Sequence, residues 1–305
     1  MKVLIGIFNF IIFPGFIFSA LIGLIAGWVD RKVSARIHYR VGPPWHQNFT
    51  DIVKLLGKEV IVPQKKLFFL LSPVLVVVSS SLAAGIIGRD IISSSNSFNV
   101  DLIIVLYLLS IPAISMIISA AKSGSPLAVV GASREMRMVF AYELPFVLSL
   151  AVVIIRSSGS LQLGNILEYQ LFSGSNIASL SGALAFFVSI FCMQAKLGFV
   201  PFDASEAEQE LAAGILVEYS GLPLAVYKLA KAVLLYTVPL FLIVLFMGKD
   251  LSPLFISLKY IGILVIMILI KNTNPRLRID QAERFFRRIP TALAVIAVIL
   301  ALTGL

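Results

Sequence analysis

The sequence predicts an all-α, polytopic membrane protein with about eight transmembrane helices, and three observations lead to this fold class. The 305 residues are 59% hydrophobic and only 13% charged, whereas roughly a quarter of the residues of a soluble domain are charged. Apolar runs recur along the whole chain, near the ~20 residues that a helix needs to cross a bilayer core. These runs lack period-2 alternation, so helices are the structure that can satisfy the backbone in lipid.

The eight predicted helices follow the apolar runs, which end where charged residues, proline or glycine interrupt them. The first run lacks a clear small-residue cleavage site, so we expect it to be retained as a spanning helix. We expect one membrane domain, 1–305, with cytoplasmic loops at about 29–66, 122–137, 194–221 and 271–288. The predicted helices are 3–28, 67–87, 102–121, 138–155, 177–193, 222–246, 256–270 and 289–305.

Most lysines and arginines lie in the loops that follow predicted helices one, three, five and seven. By the positive-inside rule these loops are cytoplasmic, which predicts a multi-pass plasma-membrane protein with both termini on the outer side. The net charge of +9 is spread over these juxtamembrane loops without an aromatic-interleaved soluble patch. We therefore expect contact with lipid headgroups and no nucleic-acid partner.

The chain offers few side chains for metal or cofactor chemistry. Cys192 is the only cysteine, so neither a disulfide framework nor a cysteine-ligated cluster can be built. The two histidines, His38 and His46, lie in one loop and are too few for an expected metal site. Nucleotide-binding, nucleophile-elbow and metalloprotease motifs are absent from the sequence. We expect no metal and no cofactor in this chain, and any redox centre on a partner.

The first cytoplasmic loop combines a basic segment with a predicted surface helix. Arg36 and Arg40 precede a turn at Gly42-Pro43-Pro44, where proline and glycine interrupt helical structure. Residues 51–60 place apolar and charged side chains at helical spacing, which predicts a short amphipathic helix at the membrane surface. Two interpretations stay open: an interfacial anchor, or a docking surface for a cytoplasmic partner.

The third cytoplasmic loop is unusually acidic for a connection between two spanning helices. Acidic residues contribute little to membrane orientation, so topology does not require them. Two of them, Glu206 and Glu210, share a helical face, where like charges repel unless one is protonated or a cation is close. This favours a proton relay, with a solvated acidic loop as the alternative. The acidic residues are Asp203, Glu206, Glu208, Glu210 and Glu218.

Charged residues also fall inside the predicted helices. Glu143 lies in helix four, and Lys228 and Lys231 lie on one face of helix six. An intramembrane charge costs roughly 2.5–3.5 kcal/mol on insertion scales, so such side chains should face a partner or a wet cavity. Glu143 could pair with one of these two lysines. Such a pair could serve helix packing or an ion path.

The last cytoplasmic loop carries Arg276 and Arg278 with the interleaved Asp280. Arginine binds carboxylates bidentately, so this loop could hold the acidic loop or a partner protein in place. Positive-inside anchoring would explain the arginines equally well, although not Asp280.

Six segments of the chain resemble a family of membrane subunits: the H subunit of NADH-quinone oxidoreductase, known in mitochondria as NADH dehydrogenase subunit 1, and its relatives in membrane-bound [NiFe] hydrogenases. Together they cover nearly the whole chain, each at a helix end or in a cytoplasmic loop. The segments are ARIHYRVGPP at 35–44, DIVKLLGKE at 51–59, GASREM at 131–136, AYELPFVLSL at 141–150, PFDASEAEQELAAGILVEYSG at 201–221 and NPRLRIDQ at 274–281.

The resemblance implies a non-catalytic membrane subunit of a complex I-like respiratory assembly, which docks the peripheral redox arm and couples electron transfer to proton or sodium translocation. The implied partners are iron-sulfur and large catalytic subunits, antiporter-like subunits and small membrane subunits. Iron-sulfur clusters, and a [NiFe] centre in the hydrogenase branch, would lie on those partners. The implied ion-path residues are Glu143, Asp203, Glu206, Glu208, Glu210, Glu218, Lys228 and Lys231. The implied docking residues are Arg36, Arg40, Arg134, Glu135, Arg276, Arg278 and Asp280.

Two departures from the family pattern indicate the branch. Quinone-type members continue GPN and keep a glutamate where this chain has GPP and Lys231. These differences favour the membrane-bound hydrogenase or sulfur-reductase type and argue against a functional quinone site. The alternatives are the quinone-site member of an NADH- or ferredoxin-quinone oxidoreductase, and a freestanding secondary transporter.

Overall fold

A computed structural model describes residues 2–62, 66–92, 101–206 and 208–304. Within these ranges the chain forms helices joined by short connections, with single 3₁₀ turns at Asn176–Ala178 and Gly214–Leu216. The helices are α1 (Lys2–Ile11), α2 (Phe16–Ile37), α3 (Gln47–Leu56), α4 (Lys66–Ile92), α5 (Leu102–Lys122), α6 (Pro126–Arg156), α7 (Leu163–Ser173), α8 (Leu180–Lys196), α9 (Glu208–Leu211), α10 (Gly221–Phe246), α11 (Pro253–Thr273) and α12 (Ile279–Leu302).

The predicted all-α membrane fold is confirmed. In the described ranges, seven helical stretches are long and apolar enough to cross a membrane, and α8 is a shorter apolar helix in the same bundle. The long stretches contain α2, α4, α5, α6, α10, α11 and α12. The predicted amphipathic helix of the first loop, placed at residues 51–60, corresponds to α3, which begins earlier, at Gln47, and ends at Leu56.

The first predicted helix, 3–28, is two helices in the structure. α1 and α2 are separated by a turn that contains Pro14 and Gly15. Proline lacks an amide hydrogen, and a Cβ added to Gly15 would lie 1.8 Å from the carbonyl oxygen of Phe10. The chain therefore turns sharply inside the first apolar run. At the other end, α2 continues past Trp28 because charged residues do not stop a helix that leaves the membrane.

Other helix ends also lie outside the predicted bounds. The segment 126–137, expected to be a loop, is the first part of α6, whose Pro126 occupies the first helical turn, a position that proline favours. Similarly, 279–288 belongs to α12, where the Arg278 amide donates a 3.3 Å hydrogen bond to the Gln281 side chain. Hydropathy identifies the part of a helix that lies in the membrane core, and it does not locate the helix ends. For the same reason the more polar helix α7 was not predicted.

α10 lies at the centre of the bundle. Of its 18 most apolar consecutive residues 89% are buried, against 28–50% in the corresponding stretches of the other six spans. It packs against α2, α3 and α4, while α6 packs against α5, α8 and α12. The remaining spans expose large apolar side chains, as expected for helices in contact with lipid. α10 is thus the element around which any internal site is arranged.

Two close contacts set the spacing of α2, α3 and α10. The basic end of the bundle is the end that carries the loops 38–46, 197–206 and 274–278. A Cβ added to Gly23 of α2 would lie 1.9 Å from the Ala232 carbonyl oxygen, so α2 and α10 meet backbone to backbone. The Asn48 side chain of α3 donates a 2.8 Å hydrogen bond to the Leu24 carbonyl oxygen. The amphipathic helix is therefore fixed to the bundle by a buried polar contact.

Candidate functional site

A cavity of about 310 Å³ lies between α2, α3, α5, α6 and α10. The loop 197–206 and the end of α8 close one side of it. Its walls combine apolar side chains with an unusual number of charges for a membrane bundle. The charged lining residues are Asp30, Arg31, Asp51, Glu135, Lys196, Glu206, Lys228 and Lys231.

Glu143 forms an ion pair that crosses from α6 to α8. The Lys196 ammonium group lies 2.8 Å from Glu143 Oε1, and the Ser110 hydroxyl donates a 2.8 Å hydrogen bond to the same oxygen. The suggested pairing of Glu143 with Lys228 or Lys231 is wrong. α8 packs directly on α6 and brings Lys196 to Glu143, and Lys231 of α10 pairs with Glu206 instead.

The acidic loop reaches into the cavity through Glu206. Its carboxylate forms an ion pair with Lys231 of α10 and accepts hydrogen bonds from the lysine through both oxygens. Lys228, one helical turn earlier, lines the same cavity. The structure thus brings together three of the predicted ion-path residues.

Glu135 lies on the cavity wall although it was predicted as a docking residue. The adjacent Arg134 contacts other residues of the acidic loop, Ala204 and Glu210. Its carboxylate hydrogen-bonds with Ser205 and interacts electrostatically with Lys196, Lys231 and Glu206. Glu135 therefore shares the cavity wall with Lys196, Glu206 and Lys231.

The outer part of the acidic loop, at the basic end of the bundle, is held by two arginines. Arg276 Nε lies 3.0 Å from Asp203 Oδ2, and Arg134 pairs with Glu210 while donating to the Ala204 carbonyl oxygen at 3.3 Å. Burial raises the pKa of Asp203 above its usual range, and the neighbouring Arg276 guanidinium partly offsets this rise. The loop 274–278 thus holds the acidic loop, as its arginine pattern predicts.

Other predicted site residues lie away from the cavity. Asp280 is exposed and lies 3.8 Å from Arg137, and Glu218 precedes α10 outside the cavity lining. The side chain of Glu208 falls outside the described residues. Exposed at the basic end of the bundle are Arg36, Arg40 and Arg278.

Sequence reasoning missed two lysines that complete the site. Lys196 and Lys271 lie just after predicted spans, in the predicted cytoplasmic loops, where a lysine is usually explained by membrane orientation. In the structure Lys196 binds Glu143, and Lys271 lies 2.7 Å from Asp30 on the cavity wall. For Lys196 the one sequence signal is a carboxylate, Glu143, inside another predicted span. Asp30, the partner of Lys271, falls in a predicted loop and gives no such signal.

A cluster of hydroxyl groups ties α4 and α5 to α10 behind the cavity wall. Ser72 hydrogen-bonds with the Tyr227 hydroxyl and donates to the Ser115 carbonyl oxygen at 2.8 Å. Tyr227 donates to the Tyr219 hydroxyl at 3.3 Å, and Ser119 hydrogen-bonds with Tyr219. All four hydroxyl-bearing side chains are buried, so the cluster fixes the first turns of α10, which carry the cavity lysines.

The described residues include no group of three or more histidine, cysteine or carboxylate side chains arranged to hold a metal ion. What the site does offer is a set of ion pairs around a cavity, joined to an acidic loop at the basic end of the bundle. This arrangement can hold water and move charge.

The fold and the charged cavity define a class: polytopic membrane subunits with an ion-pair network beneath one end of the bundle. Comparison with known proteins places the chain within it. The family profile described as NADH dehydrogenase matches residues 10–302, and the chain belongs to this family. The predicted resemblance is confirmed.

Individual relatives align with this chain over almost their whole length. The H subunit of NADH-quinone oxidoreductase from Thermomicrobium roseum is 35% identical, over 94% of this chain and 92% of the relative. The Syntrophotalea carbinolica protein of the same name is 29% identical, over 93% and 92%. A chain of the membrane-bound sulfane sulfur reductase, described as an archaeal respiratory membrane complex, has a TM-score of 0.85 at 29% identity, with 94% and 96% covered. The present chain is a membrane subunit of the complex I-like type.

Proposed function

We propose that the chain docks the peripheral redox arm of its complex and couples electron transfer to proton or sodium translocation through the charged cavity. One observation carries this proposal: the acidic loop is tied at two places of different character. Asp203 pairs with Arg276 at the basic end of the bundle, and Glu206 pairs with Lys231 inside the cavity. A partner that moves the loop from the cytoplasm therefore moves a charge beside the ion path.

Docking rests on the exposed charges at the basic end of the bundle. Four of these residues are exposed: Arg36, Arg40, Arg278 and Asp280. Arginine is enriched at protein interfaces. We assign this surface to iron-sulfur and large catalytic subunits, which carry the iron-sulfur clusters and, in a hydrogenase-type complex, a [NiFe] centre. The chain itself is a non-catalytic subunit in this proposal.

The ion path is assigned to the cavity and its ion pairs. A volume of 310 Å³ has room for about ten waters at ~30 Å³ each. Water beside intramembrane charges is what makes such charges tolerable and useful for ion transfer. Asp203, Glu208, Glu210 and Glu218 would supply the cytoplasmic approach. Antiporter-like and small membrane subunits would receive the ion on the exposed apolar sides of the bundle.

The topology belongs to the same proposal. The Lys- and Arg-rich loops would face the cytoplasm and both termini the outer side of the plasma membrane. Protease cleavage in sealed vesicles of either orientation would determine this sidedness.

A quinone-reducing complex is the second candidate. The cavity volume lies at the lower end of the range of ~300–1,000 Å³ for small-molecule sites, and its walls are partly apolar. Lys231 and the GPP segment favour the hydrogenase or sulfur-reductase type instead. Extraction of the purified complex distinguishes them: a stoichiometric bound quinone would favour the quinone-reducing type.

Replacement of Glu143 by glutamine tests the proposed function. The amide keeps the shape of the side chain but removes its charge, so ion translocation should fall at least several-fold while the complex assembles. The native complex would be reconstituted in liposomes with reduced methyl viologen as the electron donor. Glu168→Gln, on the exposed surface of α7, is the matched control. Unchanged translocation in an assembled Glu143→Gln complex would reject the assignment.

A further inference from the structure

The outward face of α12 begins with two arginines. Arg284 and Arg288 are four residues apart, so their directions from the helix axis differ by only about 40°, and both are exposed. The opposite face of α12 packs against α6 and α8 and carries the buried Ala282 and Phe286. The two arginines therefore point away from the bundle.

Neither arginine has a carboxylate partner among the described residues, unlike several other arginines at the basic end of the bundle. Arg134, Arg137 and Arg276 each pair with a carboxylate on another segment. Arg287 pairs with Glu283 on α12 itself. Like charges four residues apart on a helix repel each other. The outward face of α12 thus carries two positive charges that the described chain does not neutralise.

The length of α12 places these charges at the membrane boundary. From Arg288 to Leu302, where α12 ends, the helix rises roughly 21 Å at ~1.5 Å per residue, whereas the hydrocarbon core is ~30 Å thick. Helical side chains tilt toward the helix N-terminus, which in α12 lies at the basic end. Both guanidinium groups therefore extend out of the core toward the headgroups, where lipid phosphates are the available anions.

The surface next to the arginines suits an acyl chain. Further along the same face of α12, Val295 and Ile299 are exposed. On the side toward α8, the ring of Phe285 lies 5.6 Å from that of Phe191, and the ring of Phe187 follows at 5.1 Å. Because α8 runs toward the basic end, the half-exposed Phe187 lies deeper in the membrane than Phe191. The arginines thus lie above an apolar and aromatic wall.

We propose that Arg284 and Arg288, with the aromatic wall between α8 and α12, bind an anionic phospholipid. The free oxygens of its phosphate accept hydrogen bonds from the two guanidinium groups, and one acyl chain lies along the phenylalanine rings. A headgroup with net negative charge is favoured because neither arginine is neutralised by the protein. A soluble acidic protein fits less well, since the face is apolar beyond the arginines. The site does not depend on the proposed function.

The test uses the native complex, purified in mild detergent and depleted of lipid. Phosphatidylglycerol with a photoreactive diazirine in its acyl chain is added, and crosslinks to peptides of α8 and α12 are quantified by mass spectrometry. Arg284→Gln/Arg288→Gln should lower crosslinking at least five-fold, and Arg284→Lys/Arg288→Lys should retain part of it. The matched control, Lys54→Gln/Lys58→Gln, removes two exposed charges from the first cytoplasmic loop and should leave it unchanged.

The unmodified complex provides a test that needs no variant. Phosphatidylglycerol should label α8 and α12 several-fold more than phosphatidylcholine with the same photoreactive chain, and excess inorganic phosphate should not displace it. Equal labelling by the two lipids, displacement by phosphate, or unchanged labelling in the glutamine double variant would overturn the site. Loss of another subunit from that variant on a native gel would assign this face to a protein contact and overturn it as well.

Discussion

The two lysine–glutamate pairs of the site differ in how they are held. Glu143 and Lys196 lie on two packed helices, and their side chains are 21% and 4% exposed. Glu206 and Lys231 join a loop to a helix, and their side chains are 28% and 36% exposed. The first pair is fixed by the bundle. The second can change when the loop moves.

This difference indicates where a soluble partner can act. The loop that carries Glu206 is also bound to Arg276 through Asp203, and the amide of the adjacent Leu277 donates to the Pro201 carbonyl oxygen at 3.1 Å. In the proposed function, movement at the basic end of the bundle would be transmitted to Glu206 over a few residues. The Glu143–Lys196 pair would respond only afterwards, through changes in charge and water in the cavity.

Removal of Lys196 should give the largest effect on stability. Lys196→Met leaves the Glu143 carboxylate without its ammonium partner, and breaking a buried pair in this way costs about 3–5 kcal/mol. The apparent unfolding temperature of the purified complex should fall clearly. The double variant Lys196→Met/Glu143→Gln should recover most of the loss, and a double variant as unstable as the single one would argue against the pair.

Removal of Lys231 should separate stability from function. Its pair with Glu206 is partly exposed, and such pairs contribute about 0–1 kcal/mol. We expect Lys231→Met to unfold at nearly the normal temperature but to lose most of its ion translocation. A large drop in unfolding temperature would show that this pair stabilises the fold as strongly as the Glu143–Lys196 pair does.

Charge reversal at Arg276 and Arg278 should loosen the peripheral arm. Arg276→Glu also places a second negative charge beside Asp203, so the acidic loop should become more accessible to protease. A native gel and limited proteolysis measure the two effects. Full retention of the arm would contradict the docking assignment.

The pH dependence of the same loop follows from Asp203. Burial raises its folded-state pKa, so this group penalises the folded loop increasingly as pH rises from the ordinary aspartate value of about 3.9 through the folded pKa. Arg276→Ala should extend this loss of stability to higher pH, because the guanidinium lowers the pKa. Asp203→Asn should remove it. Amide hydrogen exchange of residues 201–206 across this range provides the measurement.

Tyr227→Phe should give the smallest effect. The substitution removes one hydroxyl from the cluster that fixes α10, which costs about 1 kcal/mol. Ion translocation should remain normal because the cluster lies behind the cavity wall. A strong loss of translocation would place these hydroxyls in the ion path.

The sequence predicted the fold class and the family because hydropathy and ordered motifs report on both. It predicted that Glu143 faces a partner or a wet cavity, yet not that the partner is Lys196, because that contact depends on how α8 packs against α6. Glu135 was placed with Arg134 by proximity in sequence. Successive residues of a helix differ by about 100° in direction, so the two side chains point different ways. The packing of the loop 201–206 determines that Glu135, and not Arg134, lines the cavity.

The Glu206–Lys231 pair is tested most directly by the number of ions moved per electron in a complex that carries Glu206→Gln. The amide fills the same space but weakens the tie to Lys231, so the ratio should fall several-fold with the peripheral arm retained and electron transfer continuing. A ratio equal to that of Glu168→Gln, in a complex with its arm in place, would contradict the account.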